Sequence, residues 1–329
     1  LNNANVYNEI KQRMNVDSFI DHIATTIYCA NTSWGHNREW WRPREEGGKW
    51  QWLIVDLDRG FNVNNSNTNL VDNLKEDYEL FQYLLNSSFF VDRFTQRSAA
   101  HLSNTFFAER INSIVDSLGS KINLEMPRHI DRWGAEGGIS SMIAWENDLD
   151  KIKQFAENRS NIVQNQIIDE LILEGTVEII VNTEPQNAGK IMVNDVPLIH
   201  PEGKGNFFKN KPLHLTVHSM PGYRFVGWDG LSDSSAITYN CIMDTTFLAI
   251  FEASDEFIFP EIIEENTILT NDQPYVVTQN LLIPSDISLT IEEGVELRMF
   301  DGSNINVEGQ LIINGTEDNP VYITPYNSI

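Results

Sequence analysis

At 329 residues the chain is too long for one small module; at roughly 100–200 residues per domain it accommodates two or three. Hydrophobic residues make up 41% and charged residues 21%, a globular balance that excludes wholesale disorder. With 47 acids against 23 bases the net charge is −24, a field that repels phosphate backbones and anionic lipid and so excludes nucleic acid and membrane surfaces as partners.

No apolar run approaches the roughly 20 residues that span a bilayer, so no membrane insertion is expected. The two cysteines, Cys29 and Cys241, stand in segments of different texture and form no CxxC or Cys/His cluster, which excludes a disulfide framework and a zinc site. The chain begins at Leu1 without an initiator Met and stops at Ile329 straight after a strand-like run. It reads as trimmed at both ends.

Charge and texture divide the chain into residues 1–174, 175–254 and 255–329, with net charges of −8, −3 and −13. In the first segment Val16, Phe19, Ile20, Ile23, Ala24 and Ile27 recur at helical spacing behind Asp17, read as the amino-terminal cap. Further helices are predicted over Asp77–Leu85, Ala100–Leu118, Ile122–Arg132 and Ser141–Leu173. The last carries Trp145, Leu149, Ile152, Phe155 and Ile162 on one stripe. One strand is predicted over Trp50–Asp56, so this segment is mostly α. The middle segment predicts a compact all-β module, with strands at Val177–Val181, Lys190–Val193, Leu213–Val217, Tyr223–Val226, Ile237–Cys241 and Thr246–Phe251. In the last segment Leu289-Thr290-Ile291 and Leu311-Ile312-Ile313 recur about 22 residues apart, the period of a stacked solenoid.

The polar residues that can do chemistry concentrate between Asn31 and Phe61, together with five of the chain's eight tryptophans. If the strand continues through Asp56 and Asp58, both carboxylates face one side, and a divalent cation relieves their repulsion most naturally. The plainer alternative is an exposed turn with Arg59 as ion-pair partner. Trp34, Trp40, Trp41, Trp50 and Trp52 are expected to pack a core around the strand. His36, in a loop beside Gly35, is open to either a structural or a site role.

The stretch Asn31–Phe61, with Met126-Pro-Arg-His-Ile-Asp-Arg-Trp-Gly134 and the long final helix, resembles the carboxy-terminal part of the CotH-type (spore coat protein H) kinase family. That resemblance implies a protein-kinase-like lobe over residues 1–174 of a secreted or spore-associated protein, transferring the ATP γ-phosphoryl to protein Ser. It implies Asp56 as the metal-binding acid, Asp58 beside it, and Asn37 as the residue helping to hold magnesium and nucleotide. Ser33 stands where relatives carry the acid that orients the acceptor hydroxyl. Hence His36 or Glu39 substitutes, or the lobe is a pseudokinase. No Gly-rich loop or strand lysine precedes Asn31, so this chain alone is expected to be inactive and Mg and ATP to belong to a complete parent.

Residues 175–254, with Pro221-Gly-Tyr-Arg-Phe-Val-Gly-Trp-Asp-Gly230, resemble internalin-type bacterial surface repeats, whose Tyr223, Phe225 and Trp228 fill a small core. Residues 266–329 resemble the opening rungs of a right-handed parallel β-helix, where calcium between turns is a minor alternative to plain solvated acidity. The fold class expected is multidomain α+β: a kinase-like lobe, a β repeat module and parallel β-helix rungs. The partners expected are a protein substrate or a cell-surface ligand, outside a bacterial cell. The competing reading is a surface adhesion or glycan-binding protein with a pseudokinase lobe. A DxD glycosyltransferase is disfavoured because alternating strands and helices do not precede the motif.

Overall fold

The computed structural model describes residues 3–326; the sequence readings at Leu1 and at residues 327–329 lie outside them. The architecture is an α+β mixture in two compact units. Unit 1 comprises residues 1–181, 192–216 and 236–246; unit 2 comprises residues 182–191, 217–235 and 247–329.

Unit 1 opens with helices α1 (Ala4–Arg13) and α2 (Val16–Cys29), then a hairpin of β1 (Glu39–Trp41) and β2 (Gln51–Leu53). Helices α3 (Leu70–Asp77), α4 (Glu79–Leu84), α5 (Ser88–Ala100), α6 (Ala108–Ile122), α7 (Met126–Trp133) and α8 (Met142–Leu171) follow. α2 starts two residues earlier than its cap was expected. Asn15 accepts a hydrogen bond from the Ser18 amide, while Asp17 lies in the first turn and pairs with Arg93. The fully buried Phe19, Ile20, Ile23 and Ile27 face Phe81, Phe90, Phe94 and Phe155, and this aromatic and aliphatic cluster is the core of the helical part.

The helix expected over Ala100–Leu118 is interrupted. A π-helical turn occupies His101–Thr105 and α6 begins only at Ala108. Asn104, completely buried there, accepts from the backbone amides of Ile199 and His200, so its side chain competes with regular helix. The stripe on α8 is also displaced: Trp145, Phe155, Val163 and Ile167 are buried, and the cation Arg159 sits among them with no exposure.

The strand-rich middle of the chain comprises β3 (Thr176–Glu184), β4 (Gly189–Val193), β5 (Val196–Pro197), β6 (Lys204–Phe208), β7 (Pro212–Ser219), β8 (Tyr223–Trp228), β9 (Ala236–Asn240) and β10 (Thr245–Ala253). Within unit 1, β3 pairs antiparallel with β6 and β7 with β9. This part of the unit is fastened to α5. Gln96, 1% exposed, donates from its amide to the carbonyls of Phe208 and Lys211, and its own carbonyl accepts from the Phe208 amide. Asn194 donates back to the Gln96 carbonyl at 3.0 Å, and Arg97 donates to the Asn194 carbonyl at 2.8 Å.

Within unit 2, β8 pairs antiparallel with β10, and Trp228 is buried against Phe225 and Phe247. Short strands follow: β11 (Phe257–Ile258), β12 (Thr267–Leu269), β13 (Tyr275–Val277), β14 (Leu281–Ile283), β15 (Ser288–Ile291), β16 (Glu296–Met299), β17 (Ile305–Val307), β18 (Gln310–Ile313) and β19 (Tyr322–Pro325). They form three parallel ladders, in the orders β11-β13-β16-β19, β12-β15-β18 and β14-β17. The 22-residue recurrence is a pairing: Leu289 stands opposite Leu311 and Ile291 opposite Ile313. Leu289, Ile291, Leu281, Ile283 and Leu297 make the interior.

Candidate functional site

The candidate site is assembled where α2 stops. Its last turn unwinds at Ala30, which takes a left-handed conformation (φ 50°). Arg159 donates to the carbonyls of Ile27, which also accepts from the Ala30 amide, and Tyr28, the latter at 2.8 Å, and to the carbonyls of Ser66 and Thr68. Burial pulls the Arg159 guanidinium down to about 10, still charged near neutrality. One buried cation therefore gathers the end of α2 and the segment before α3. Gly60 closes the other side, since a Cβ there would crowd the Leu57 carbonyl and Cys29, and the Phe61 amide donates to the Cys29 carbonyl. Cys29 itself is packed away, and burial raises its thiol to about 12, so it is inert.

The hairpin is tied to the same helix. The Trp52 amide donates to the Ser18 hydroxyl at 2.9 Å, and His22 Nδ1 lies 3.1 Å from the Leu53 carbonyl. A carbonyl can only accept, so Nδ1 carries the proton there; burial lowers the pKa of His22 and keeps the ring neutral. β2 ends at Leu53, three residues short of the expected strand end, and Asp56 adopts a left-handed conformation (φ 50°). The alternation that was to align Asp56 with Asp58 is therefore absent, and Asp58 sits in the following turn.

What the structure does bring together is Asn31, Ser33, Asn37 and the Asp56 backbone. The Asn31 side-chain carbonyl accepts from the Ser33 amide at 3.2 Å and its hydroxyl at 2.9 Å. The Asn37 amide donates to the Ser33 hydroxyl at 3.0 Å and to the Asp56 carbonyl at 3.4 Å, and the Asn31 amide reaches the same carbonyl at 3.4 Å. Because the Asn37 NH2 is spent on these bonds, its side-chain oxygen is the atom left for a cation, next to the residue whose exposed carboxylate is the other oxygen donor. His36 and Glu39 are exposed, one on the turn and one at the start of β1. His36 meets this network through its backbone amide, which donates to the Ser33 carbonyl at 3.4 Å.

The tryptophans correct the packing expectation. Trp40, Trp41 and Trp50 are 54%, 46% and 39% exposed, because the hairpin has only two strands and only Trp52 reaches the core, edge-on to Phe19. Trp34 and Tyr78 stack at 5.9 Å, with the Arg38 guanidinium over both rings.

Residues 1–163 match the CotH kinase protein family. No curated protein and no solved structure matches the chain. The CotH match ends inside α8 and contains every residue of the network just described. Among the described residues no group of three or more His, Cys, Asp or Glu side chains could hold a metal ion, and no helix is long and apolar enough to cross a membrane. A magnesium ion in the CotH segment would take its protein ligands from one amide and one carboxylate. Such a site suits an ion that fills its remaining positions with phosphate and water, so the residues fit.

Two elements of the CotH segment escaped sequence reasoning. Arg159 was passed over because a cation in a helix is expected at the surface; its place within an otherwise apolar stripe was the available signal. The second is a charge cluster on α2 and α5, where Arg97 binds Asp21 through Nε and Nη2, and His101 Nε2 lies 2.8 Å from the same carboxylate. Burial alone would raise Asp21, but the hydrogen bonds from His101 and Arg97 outweigh it and hold the carboxyl at about 2. No sequence spacing links these residues, which lie 76 and 80 positions apart.

Proposed function

We propose that residues 1–174 are the carboxy-terminal part of a CotH-type kinase-like lobe in which Asn37 and Asp56 hold the magnesium of ATP and Ser33 replaces the acceptor-orienting acid. The observation that supports this reading is that the Asn37 amide donates both to the Ser33 hydroxyl and to the backbone carbonyl of Asp56, so that all three residues belong to one network. Magnesium, when bound, neutralises phosphate charge. The chain's own contribution is to fix the two oxygens in position. Ser33 supplies no base, because its hydroxyl donates to Asn31 and a serine does not take up a proton near neutral pH. The chain is therefore a nucleotide-binding lobe without phosphoryl transfer of its own, within a parent that is a secreted or surface bacterial protein. In the same reading the antiparallel strands of residues 175–254 are an internalin-type repeat, and the three parallel ladders are the opening coils of a parallel β-helix. The ladder pairing and the excess of acids beyond residue 254 support this.

Calorimetry with ATP, with and without magnesium, tests the assignment on the complete parent and on its Asp56→Asn variant. The expected result is magnesium-dependent binding that weakens at least tenfold in the variant. Binding that is indifferent to magnesium, or equal in the two proteins, refutes it.

A further inference from the structure

Unit 1 holds a cleft of about 670 Å³ away from the Asn37–Asp56 network. One wall is helical, with Tyr7 and Lys11 from α1 and Phe89 and Arg93 from α5; the other is the outer face of β7 and β9, with His214, Thr216 and Thr238; Lys49 stands at its margin. The volume lies in the range of small-ligand sites, and the lining combines aromatic surface with a few placed polar groups.

The chemistry of the lining narrows the occupant. Phe89 is 43% exposed and stacks on Tyr7 at 5.8 Å, so the pair offers a flat apolar platform whose back is already packed. Opposite it, the His214 Nδ1 and the Thr238 hydroxyl are 2.8 Å apart, an ordered pair of polar groups. The charges deeper in the wall are mutually satisfied: Arg93 binds Asp17 at 2.6 Å and Asp195 at 2.5 Å, and Lys211 binds Asp92 at 2.6 Å. Lys11 and Lys49 differ. Both are exposed, and among the described residues neither has a carboxylate partner, although acids outnumber bases two to one in this chain.

From a flat platform, facing hydroxyl and imidazole groups and two lining lysines without a carboxylate partner, of which Lys11 lies 6.0 Å over the Tyr7 ring, we infer that this cleft binds a short carboxylated oligosaccharide. One sugar ring lies on Phe89, and its carboxylate meets Lys11 and Lys49. The inference is independent of the metal reading, since none of these residues belongs to the Asn37–Asp56 network.

The test is calorimetry of the whole chain with trigalacturonate and with the neutral trisaccharide maltotriose, repeated on Phe89→Ala and on Lys11→Ala/Lys49→Ala. The substituted positions Phe89, Lys11 and Lys49 are exposed and the buried Tyr7 is left intact, and circular dichroism checks that the variants keep their helices. Trigalacturonate should bind in the unaltered chain, at least tenfold more weakly in either variant, and more weakly as salt is raised. Absence of binding at millimolar sugar overturns the inference. So does equal affinity for maltotriose, or binding that survives both variants. ATP binding that is lost in Phe89→Ala and kept in Asp56→Asn also overturns it, by showing that the cleft takes a nucleotide.

Discussion

Replacing Gln96 by Leu asks whether the helices of unit 1 and the strands fastened to them fold as one body. Leu is close in size, so the substitution mainly removes polar contacts. Two carbonyls, of Phe208 and Lys211, lose a donor, and the Phe208 amide loses its acceptor in a place with no solvent, since Phe208 is fully buried. An abandoned buried donor costs about 1–3 kcal/mol, and each lost neutral hydrogen bond about 1 kcal/mol. Burial of the added apolar surface returns about 1 kcal/mol, which leaves a net loss of about 2–4 kcal/mol. Urea unfolding followed by helical circular dichroism and, separately, by amide hydrogen exchange in β6 and β7 measures it. Both signals are expected to move together to a lower midpoint. A loss below about 0.5 kcal/mol, within the range of an ordinary surface substitution, or two transitions that separate, would show that the strands after residue 175 are independent of the helices and that a boundary there is a true domain boundary.

Three further perturbations follow from particular groups. Asp21 is held at about 2 when folded against an ordinary 3.8, so its stabilisation is present above pH 3.8 and is lost as pH falls toward 2. Asp21→Asn should cost about 2 kcal/mol at neutral pH, an upper figure for a carboxylate one third exposed, and flatten the acid limb of a stability-against-pH curve; an unchanged limb contradicts it. Arg159→Leu strips the donors from four carbonyls and should cost about 3 kcal/mol while exposing Arg38 to trypsin, and Arg159→Lys should restore little because one ammonium does not span those carbonyls. Gly309→Ala would press a methyl group onto the backbone carbonyls of Pro284 and Ile287, which cannot yield; a loss of about 1–3 kcal/mol is expected in thermal unfolding of the ladders.

The parts of this structure that were legible in the sequence are those where one local rule acts alone. The apolar stripe from Val16 to Ile27 is α2, and the repeat at Leu289 and Leu311 is a pair of facing strands. Reading failed where a distant partner decides. Asn15, not Asp17, caps α2, because Asp17 is claimed by Arg93 from α5. The predicted strand to Asp56 stops at Leu53, and the Asp56 carbonyl accepts instead from Asn31 and Asn37 across the loop. The exposed tryptophans look like core in sequence because hydrophobicity says nothing about how many strands will stand beside them. Ser33, Asn37 and Asp56 were named through a family pattern, as were His36 and Asp58, whose side chains the structure leaves outside the network. The bonding of the network was not legible, since hydrogen bonds across 19 and 25 residues leave no mark on spacing.

The ladders of unit 2 advance unevenly. Thr267 faces Leu289 and Ser288 faces Gln310, an advance of 22 residues each time, whereas Phe257 faces Tyr275 and Glu296 faces Tyr322, advances of 18 and 26. The strands hold a constant interior while the corners take up the difference. Length is thus a free variable at the corners and a quantised one along the stack. Residues added between Ile313 and Val321 would lie outside the paired strands and leave the facing apolar side chains where they are.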